Sequence, residues 1–122
     1  MQRTFLIIAA VSGLIAVILG AFGAHALRGK LEPKLFDVFE TGVRYQFFHT
    51  FALIAVALLI DKLGAAQLVP AGWLFVAGIV LFSGSLYLLA VKSWKWLGPV
   101  TPLGGLLFIA GWVMLLIAAA RR

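Results

Sequence analysis

The chain has 122 residues, of which 64% are hydrophobic and only 11% are charged, and its formal net charge is +6. A soluble domain is about a quarter charged, because polar groups must cover its surface. The composition therefore excludes an ordinary water-soluble fold and predicts that most of the surface contacts lipid. With no cysteine in the sequence, disulfides and cysteine-ligated metals are excluded as well.

The positive charge does not indicate nucleic-acid binding. Binding a phosphate backbone requires Lys and Arg clustered on one wet face, whereas each basic residue here borders an apolar run, as charges flanking membrane spans do. The ten are Arg3, Arg28, Lys30, Lys34, Arg44, Lys62, Lys92, Lys95, Arg121 and Arg122. We therefore expect the lipid bilayer, and no nucleic acid, as a partner.

Four apolar runs predict membrane spans, each of which needs about 20 residues. Their bounds, set by charges, Gly and Pro, are about 4–27, 45–60, 70–91 and 99–120. The second is the shortest, and its first turn is expected to belong to a helix that starts earlier. Backbone groups in lipid must be bonded internally, so all four runs are predicted to be helices. The predicted fold is all-α, a single membrane domain over residues 1–122 built as a four-transmembrane-helix bundle.

The first run also resembles a secretory signal peptide, since Arg3 precedes it and Ala24-His25-Ala26 matches an A-x-A cleavage site. Its apolar stretch is longer than the roughly 7–15 residues of a signal peptide. We therefore expect it to be retained as the first span.

The segment between the first two spans carries apolar residues at helical spacing. They are Leu31, Leu35, Phe36, Phe39 and Val43. Glu32-Pro33 is a favourable start, because Pro suits the first helical position. We predict an amphipathic helix over about 32–44 that lies in the headgroup layer and leads into the second span. The alternative is a surface helix that docks a partner or gates a site.

Small residues predict where the spans pack, because helices in lipid associate through close backbone approach rather than through the hydrophobic effect. The first span has one such stripe, made of Ala9, Ser12, Gly13, Ala16, Gly20, Gly23 and Ala24. In the other spans small residues recur every seven positions, at Gly78 and Ser85 and at Gly104, Gly111 and Ala118. The neighbour is either a sister helix or a second protein, in a homo-oligomer or a larger membrane complex.

An up-down topology gathers most intramembrane polar residues toward one end of the bundle. They are His25, Tyr45, Gln46, His49, Thr50, Ser83, Tyr87 and Thr101. Polar residues within a span are functional candidates, although each can instead bond to nearby backbone. We expect His49 to face inward, whereas His25 lies nearly opposite the small-residue stripe and is expected to face outward.

Two histidines on adjacent spans at similar depth also suggest bis-histidine ligation of a b-type haem. The outward direction of His25 argues against it. The sequence has no hydrolase constellation, phosphate loop or zinc signature. We therefore expect no catalytic residues, no metal and no cofactor.

Orientation follows from the basic residues. With four spans, both termini share a side with Arg3, Lys62, Arg121 and Arg122, and the remaining six basic residues lie on the other side. Because cytoplasmic loops are enriched in Lys and Arg, the side with six is predicted to be cytoplasmic and both termini periplasmic.

Four segments identify a resemblance, namely GAFGAHAL at 20–27, FETGVRYQFFHTFAL at 39–53, SGSLYLL at 83–89 and TPLGG…GW at 101–112. In this order, and over nearly the whole chain, they resemble the domain-of-unknown-function-423 family, which is similar to transmembrane protein 256. The resemblance implies a small multi-span protein of bacterial inner membranes and supplies no biochemical activity. It also implies that His25 and the block Glu40, Gly42, Tyr45, Gln46 and His49 belong to the family's motifs.

Two functional hypotheses remain open from the sequence, beside the haem interpretation. The first is a non-enzymatic accessory or scaffold unit that acts through helix–helix contacts. The second is binding or transport of a small solute or lipid-like molecule. The candidate ligand-binding residues are His49, Gln46, Tyr45, Glu40, Arg44, His25 and Thr101.

Overall fold

The computed structural model describes residues 1–121 and consists of four long helices joined by short turns. We define α1 as Gln2–Leu27, α2 as Pro33–Leu63, α3 as Ala65–Lys92 and α4 as Val100–Ala120, the last preceded by a 3-10 turn at Lys95–Leu97. Each helical segment is long and apolar enough to cross a membrane. The predicted all-α fold with four apolar spans is therefore confirmed. Arg122, which the orientation prediction counted among the basic residues, lies outside the described residues.

The predicted interfacial helix at 32–44 is not shown as a separate element. α2 runs without a break from Pro33 to Leu63, so residues 33–44 are its first turns. Phe39 and Val43, from the apolar face of this segment, are buried against Leu19 and Tyr87. That part of the apolar face packs on α1 and α3 because the helix docks into the bundle rather than lying beside it.

A single residue connects α2 to α3. Gly64 has a φ of +104°, a backbone conformation that is accessible to Gly but strained for other residues. The chain reverses direction there, and α3 begins at Ala65. Most of the segment between the second and third predicted spans is therefore helical, and Pro70 lies inside α3 on its exposed side.

The four helices form an open arrangement with α2 and α3 at the centre. α1 packs along α2, α2 along α3 and α3 along α4, and the described residues of α1 and α4 make no extended contact with each other. In the most apolar stretch of each helix, 50% of residues are buried in α2 but only 22% in α1 and in the fourth span. Large apolar side chains cover the outer faces of α1 and α4, among them Leu14, Phe22, Ile109 and Leu116. Such an extended apolar surface requires lipid or protein to cover it.

The small residues of α1 lie where α1 meets α2. Ala16 is fully buried. A Cβ built on Gly13 would lie 3.6 Å from Cγ2 of Thr50, and one on Gly20 would lie 3.2 Å from Cγ1 of Val43. The stripe predicted from the sequence thus faces a sister helix in this structure.

Glycines also line the contact between α3 and α4. A Cβ on Gly104 would overlap the backbone of Phe82, and a Cβ on Gly111 would lie 2.6 Å from the ring of Phe75. Gly78 is covered by the ring of Phe108. Of the other two small residues predicted here, Ala118 is buried and Ser85 donates a hydrogen bond to the Phe82 carbonyl. The two helices approach closely because these positions lack side-chain bulk.

α1 and α3 each contain a π-helical segment, Ile18–Gly23 and Ile79–Ser83. The Ala24 N–H donates to the Leu19 carbonyl, five residues earlier rather than four. Each π turn holds an extra residue and rotates the faces that follow, and such segments are frequent at functional sites. The turns after Ser83 therefore point in directions that ideal helical periodicity does not give.

Candidate functional site

Gln46 is the centre of a buried polar network that joins three helices. It lies near the middle of α2 and is only 3% exposed. Its Nε2 donates to the backbone carbonyl of Ser12 at 2.9 Å and to Ser12 Oγ at 3.2 Å. Its Oε1 accepts a hydrogen bond of 2.6 Å from the Tyr87 hydroxyl. One side chain thus links α1, α2 and α3 in an otherwise apolar interior.

Hydroxyl groups extend the network on both sides of Gln46. Ser12 Oγ and Thr50 Oγ1 are 2.7 Å apart and share one hydrogen bond between α1 and α2. Ser83 Oγ donates to the Gly42 carbonyl at 2.7 Å, which ties α3 to α2. Both contacts are buried and connect different helices, so they act as polar cross-links in a medium that offers no competing water.

His49 forms a second polar connection, between α2 and α4. Its Nε2 lies 3.0 Å from Trp112 Nε1, and its Nδ1 lies 2.8 Å from the Tyr45 carbonyl. An indole N–H can only donate, so His49 Nε2 accepts. Nδ1 must then carry the proton and donate to the carbonyl. Both ring nitrogens of the neutral imidazole are satisfied by these two bonds.

Aromatic rings enclose His49. The imidazole stacks on Phe108 with ring centroids 3.5 Å apart and planes at 8°. Phe75 contacts the imidazole from α3 at 5.6 Å and meets Trp112 edge-on at 5.3 Å. The orientation of His49 is therefore fixed by ring packing as well as by its hydrogen bonds, which leaves the side chain 5% exposed.

The network is internally complete. Over the part of the chain that the structure describes, every buried side-chain nitrogen or oxygen has a hydrogen-bond partner. An unsatisfied polar group aimed into a cavity would call for a ligand, and these residues present none. The arrangement is typical of interhelical hydrogen bonds that stabilise a bundle rather than of an empty binding site.

The candidate residues divide among three surface grooves rather than sharing one cavity. Tyr45 and His49 line a groove of about 590 Å³ between α2 and α4. Gln46 lies at the floor of a groove of about 280 Å³ between α1 and α3. Glu40 and Arg44 border a groove of about 240 Å³ between α1 and α2.

The remaining two candidates, Thr101 and His25, line none of these grooves. Thr101 is hydrogen-bonded to Ser85, which joins α4 to α3.

His25 and His49 do not lie at similar depth, contrary to the sequence-based expectation. His25 is exposed in the last turn of α1, as its position opposite the small-residue stripe predicted. Gly23 faces Phe39 and Ser12 contacts Gln46, so His25 is level with the first turns of α2. His49 is about 12 residues further along, or roughly 18 Å at 1.5 Å per residue. These positions do not fit a haem ligated by both histidines.

Sequence reasoning did not identify Trp112 and Phe108 as the partners of His49. A signal was present, because Trp is enriched at membrane interfaces, whereas Trp112 is near the middle of its span. A tryptophan in that position needs an acceptor for its N–H within the bundle. Phe108 carries no comparable signal, since an apolar ring is ordinary in a span.

Comparisons with known proteins agree with a membrane location. The family described as "Protein of unknown function (DUF423)" matches residues 19–105. The chain is 51% identical to the UPF0382 membrane protein YwdK of Bacillus subtilis, with 98% of each chain covered. It is 41% identical to the UPF0382 inner membrane protein YgdD of Escherichia coli, with 98% of this chain and 92% of that protein covered. No solved structure matches it.

Proposed function

We propose that this chain, which belongs to the DUF423 (UPF0382) family of membrane proteins, is a non-enzymatic accessory unit. It is a multi-pass protein of the inner or plasma membrane, and its family supplies no activity. In this proposal it packs against a transmembrane helix of another protein. The contact surface is the groove between α2 and α4.

The shape of the α2–α4 groove is the observation that carries the proposal. The floor is formed by Phe82 and Phe108 and the α2 wall by Tyr45 and His49. The α4 wall consists of Pro102, Gly105, Leu106, Ile109 and Trp112. These positions follow the i, i+3, i+4, i+7 pattern of a single helix face and extend for about 15 Å. A groove of this form suits the side chains along one face of a neighbouring helix.

The chemistry of the groove supports an apolar partner. The His49 nitrogens are already hydrogen-bonded to Trp112 and Tyr45. An apolar partner that covers His49 therefore leaves no imidazole nitrogen without a hydrogen bond. Gly105 has no side chain, and a Cβ there would lie 3.8 Å from the Phe82 ring in ordinary contact. A partner helix can therefore approach the α4 backbone closely at Gly105, as small residues permit in membranes.

A cross-linking experiment in native membranes tests this proposal. The chain has no cysteine, so Ile109→Cys introduces a unique attachment point for a photoreactive maleimide within the groove. Leu103→Cys is the matched control, because Ile109 and Leu103 are 60% and 51% exposed on the same helix and Leu103 does not line the groove. We expect a protein adduct of defined mass from Ile109→Cys only. Equal labelling at both positions, or adducts with lipid alone, contradicts the proposal.

A second candidate is a lipid-like ligand with a planar ring in the same groove. The aromatic side chains of Tyr45, His49 and Trp112 that line it favour this alternative, because flat rings stack on aromatic faces. Gln46 and Thr101, which the sequence grouped with His49, do not line this groove. Mass spectrometry of the organic extract of the purified protein tests it. A ring-bearing lipid lost in Gly105→Leu, which fills the groove, is the expected result, and an extract containing bulk phospholipid alone contradicts it.

A further inference from the structure

The third groove, between α1 and α2, carries opposite charges on one edge. It is lined by Gly20, Ala24, Glu40, Val43, Arg44 and Phe47. Glu40 and Arg44 are four residues apart on α2, so their side chains share a helix face. The small residues Gly20 and Ala24 form the α1 wall and leave room beside the two charged groups.

Neither charged group is used by the protein's own side-chain hydrogen bonds. Within residues 1–121 those bonds involve Ser, Thr, Gln, Tyr, His and Trp side chains only. Arg44 is exposed and Glu40 is half-buried. A carboxylate and a guanidinium at this spacing can therefore both bind a third molecule that carries the complementary charges.

The depth of the pair matches the headgroup region of a bilayer. Glu40 and Asp61 enclose the stretch 41–60 of α2, which is about 30 Å long at 1.5 Å per residue and equals the usual hydrocarbon thickness. Glu40 therefore lies at one hydrocarbon boundary. Arg44 lies about one turn deeper, at a distance from which its long side chain can reach back toward the headgroups.

The apolar part of the groove continues toward the bilayer centre. Val43 and Phe47 line it beside the charges, and Phe47 stacks on the exposed ring of Phe51 with centroids 6.2 Å apart. This track runs along α2 away from Glu40. Its direction and apolar surface suit an acyl chain whose polar end is held at the charged pair.

We infer that the α1–α2 groove binds a zwitterionic phospholipid that carries a phosphate and a primary ammonium group. The Arg44 guanidinium contacts the phosphate, since its planar donors match phosphate oxygens in a bidentate arrangement. The Glu40 carboxylate accepts hydrogen bonds from the ammonium. An acyl chain lies along Val43 and Phe47. The inference concerns a different surface from the proposed partner-helix groove and does not depend on it.

Native mass spectrometry of the full chain in detergent, titrated separately with phosphatidylethanolamine, phosphatidylcholine and phosphatidylglycerol, tests the inference. We expect tighter binding of phosphatidylethanolamine than of phosphatidylcholine, whose quaternary ammonium has no N–H to donate. Arg44→Gln should weaken binding of all three lipids by about tenfold or more, because each loses a charge-assisted contact to phosphate. Glu40→Gln should remove only the preference for the primary ammonium.

Two exposed residues of the same helix provide matched controls. Lys34→Gln and Asp37→Asn make the same changes of charge at positions that do not line the groove, and we expect both to bind lipid like the unmodified chain. Arg44→Lys retains the positive charge, and we expect weaker phosphate binding with an unchanged melting temperature. This variant separates recognition from folding if Arg44→Gln is unstable.

Three outcomes would overturn the inference. Equal binding of phosphatidylethanolamine and phosphatidylcholine would show that Glu40 does not accept hydrogen bonds from the primary ammonium. Losses in Lys34→Gln as large as those in Arg44→Gln would show a diffuse electrostatic effect. Displacement of the lipid by inorganic phosphate alone would assign the site to a free anion instead.

Discussion

Trp112 on α4 donates a hydrogen bond of 3.0 Å to His49 on α2, and this contact determines the chemical state of the imidazole. Because the indole has no acceptor to offer, His49 Nε2 holds a lone pair and Nδ1 holds the proton. The bond also joins two helices that share few other contacts. The bond therefore defines the tautomer, and together with the stacking of His49 on Phe108 it joins α2 to α4 at this groove.

Replacing Trp112 with Phe should leave His49 Nε2 without its partner. We expect a loss of about 1 kcal/mol in unfolding free energy, the scale measured for interhelical hydrogen bonds in membranes. Thermal melting followed by circular dichroism in detergent measures it. In the ¹⁵N spectrum of the unmodified protein, we expect His49 to be protonated on Nδ1 alone.

The matched control is Trp96→Phe, since Trp96 is 67% exposed in the 3-10 turn Lys95–Leu97 and makes no side-chain hydrogen bond among the described residues. We expect its melting temperature to equal that of the unmodified chain. A spectrum with the proton on Nε2 would contradict the Trp112–His49 bond itself.

Two adjacent glycines of α4 should respond in opposite ways to alanine. In Gly104→Ala the new Cβ would lie 2.7 Å from the Phe82 Cα, and backbone cannot move aside as a side chain can. We expect a loss of about 1–3 kcal/mol from overpacking between α3 and α4.

In Gly105→Ala the Cβ meets only the Phe82 ring, at 3.8 Å. Alanine should then be neutral or stabilise the helix by up to about 1 kcal/mol. Melting curves of the two variants, recorded in one detergent, provide the comparison. Equal destabilisation by both substitutions would mean that α4 does not face α3 through Gly104.

Gln46 should matter more to stability than either group it bonds. Gln46→Leu leaves the Tyr87 hydroxyl without its acceptor and removes the bond to the Ser12 carbonyl. An unpaired buried polar group costs about 1–3 kcal/mol. Tyr87→Phe removes the hydroxyl that donates to Gln46 Oε1 and leaves only that oxygen without a hydrogen-bond partner. We therefore expect a smaller loss of unfolding free energy than in Gln46→Leu.

The double variant Gln46→Leu/Tyr87→Phe should be more stable than the sum of the single losses predicts, because it removes both members of the bond. Chemical unfolding in mixed micelles measures all three free energies. Strict additivity would argue against the hydrogen bond between Gln46 and Tyr87.

The charge count predicts the orientation of the chain in the membrane. Ser93 lies in the turn flanked by Lys92 and Lys95, and Ala65 follows the turn at the opposite end. In the cysteine-free chain, an impermeant maleimide added outside intact cells should label Ala65→Cys and leave Ser93→Cys unlabelled until the cells are opened. The reverse pattern would place both termini in the cytoplasm and overturn the prediction from basic residues.

Part of the candidate site could be anticipated from individual residues. The outward position of His25 followed from the small-residue stripe of α1, because that stripe had to face a neighbour. The inward position of His49 was expected because polar residues within a span usually face the bundle interior. The sequence listed Gln46, His49 and Thr101 among the candidate ligand-binding residues of one end of the bundle, and the structure places them at separate surfaces. That list rested on an up-down topology of regular spans, whereas α2 extends back to Pro33 and α3 contains a π turn at Ile79–Ser83.

The sequence by itself determined that this chain is a membrane protein, that its four apolar runs form helices, and to which family it belongs. These conclusions depend on composition and order along the chain, since unpaired backbone groups are not tolerated in hydrocarbon. Only the tertiary structure decided that Gln46 meets Ser12 and that His49 meets Trp112. In lipid an apolar helix face has nearly the same free energy against protein as against acyl chains. Hydropathy therefore does not set the register between helices. Close packing at glycines and a few interhelical hydrogen bonds set it instead.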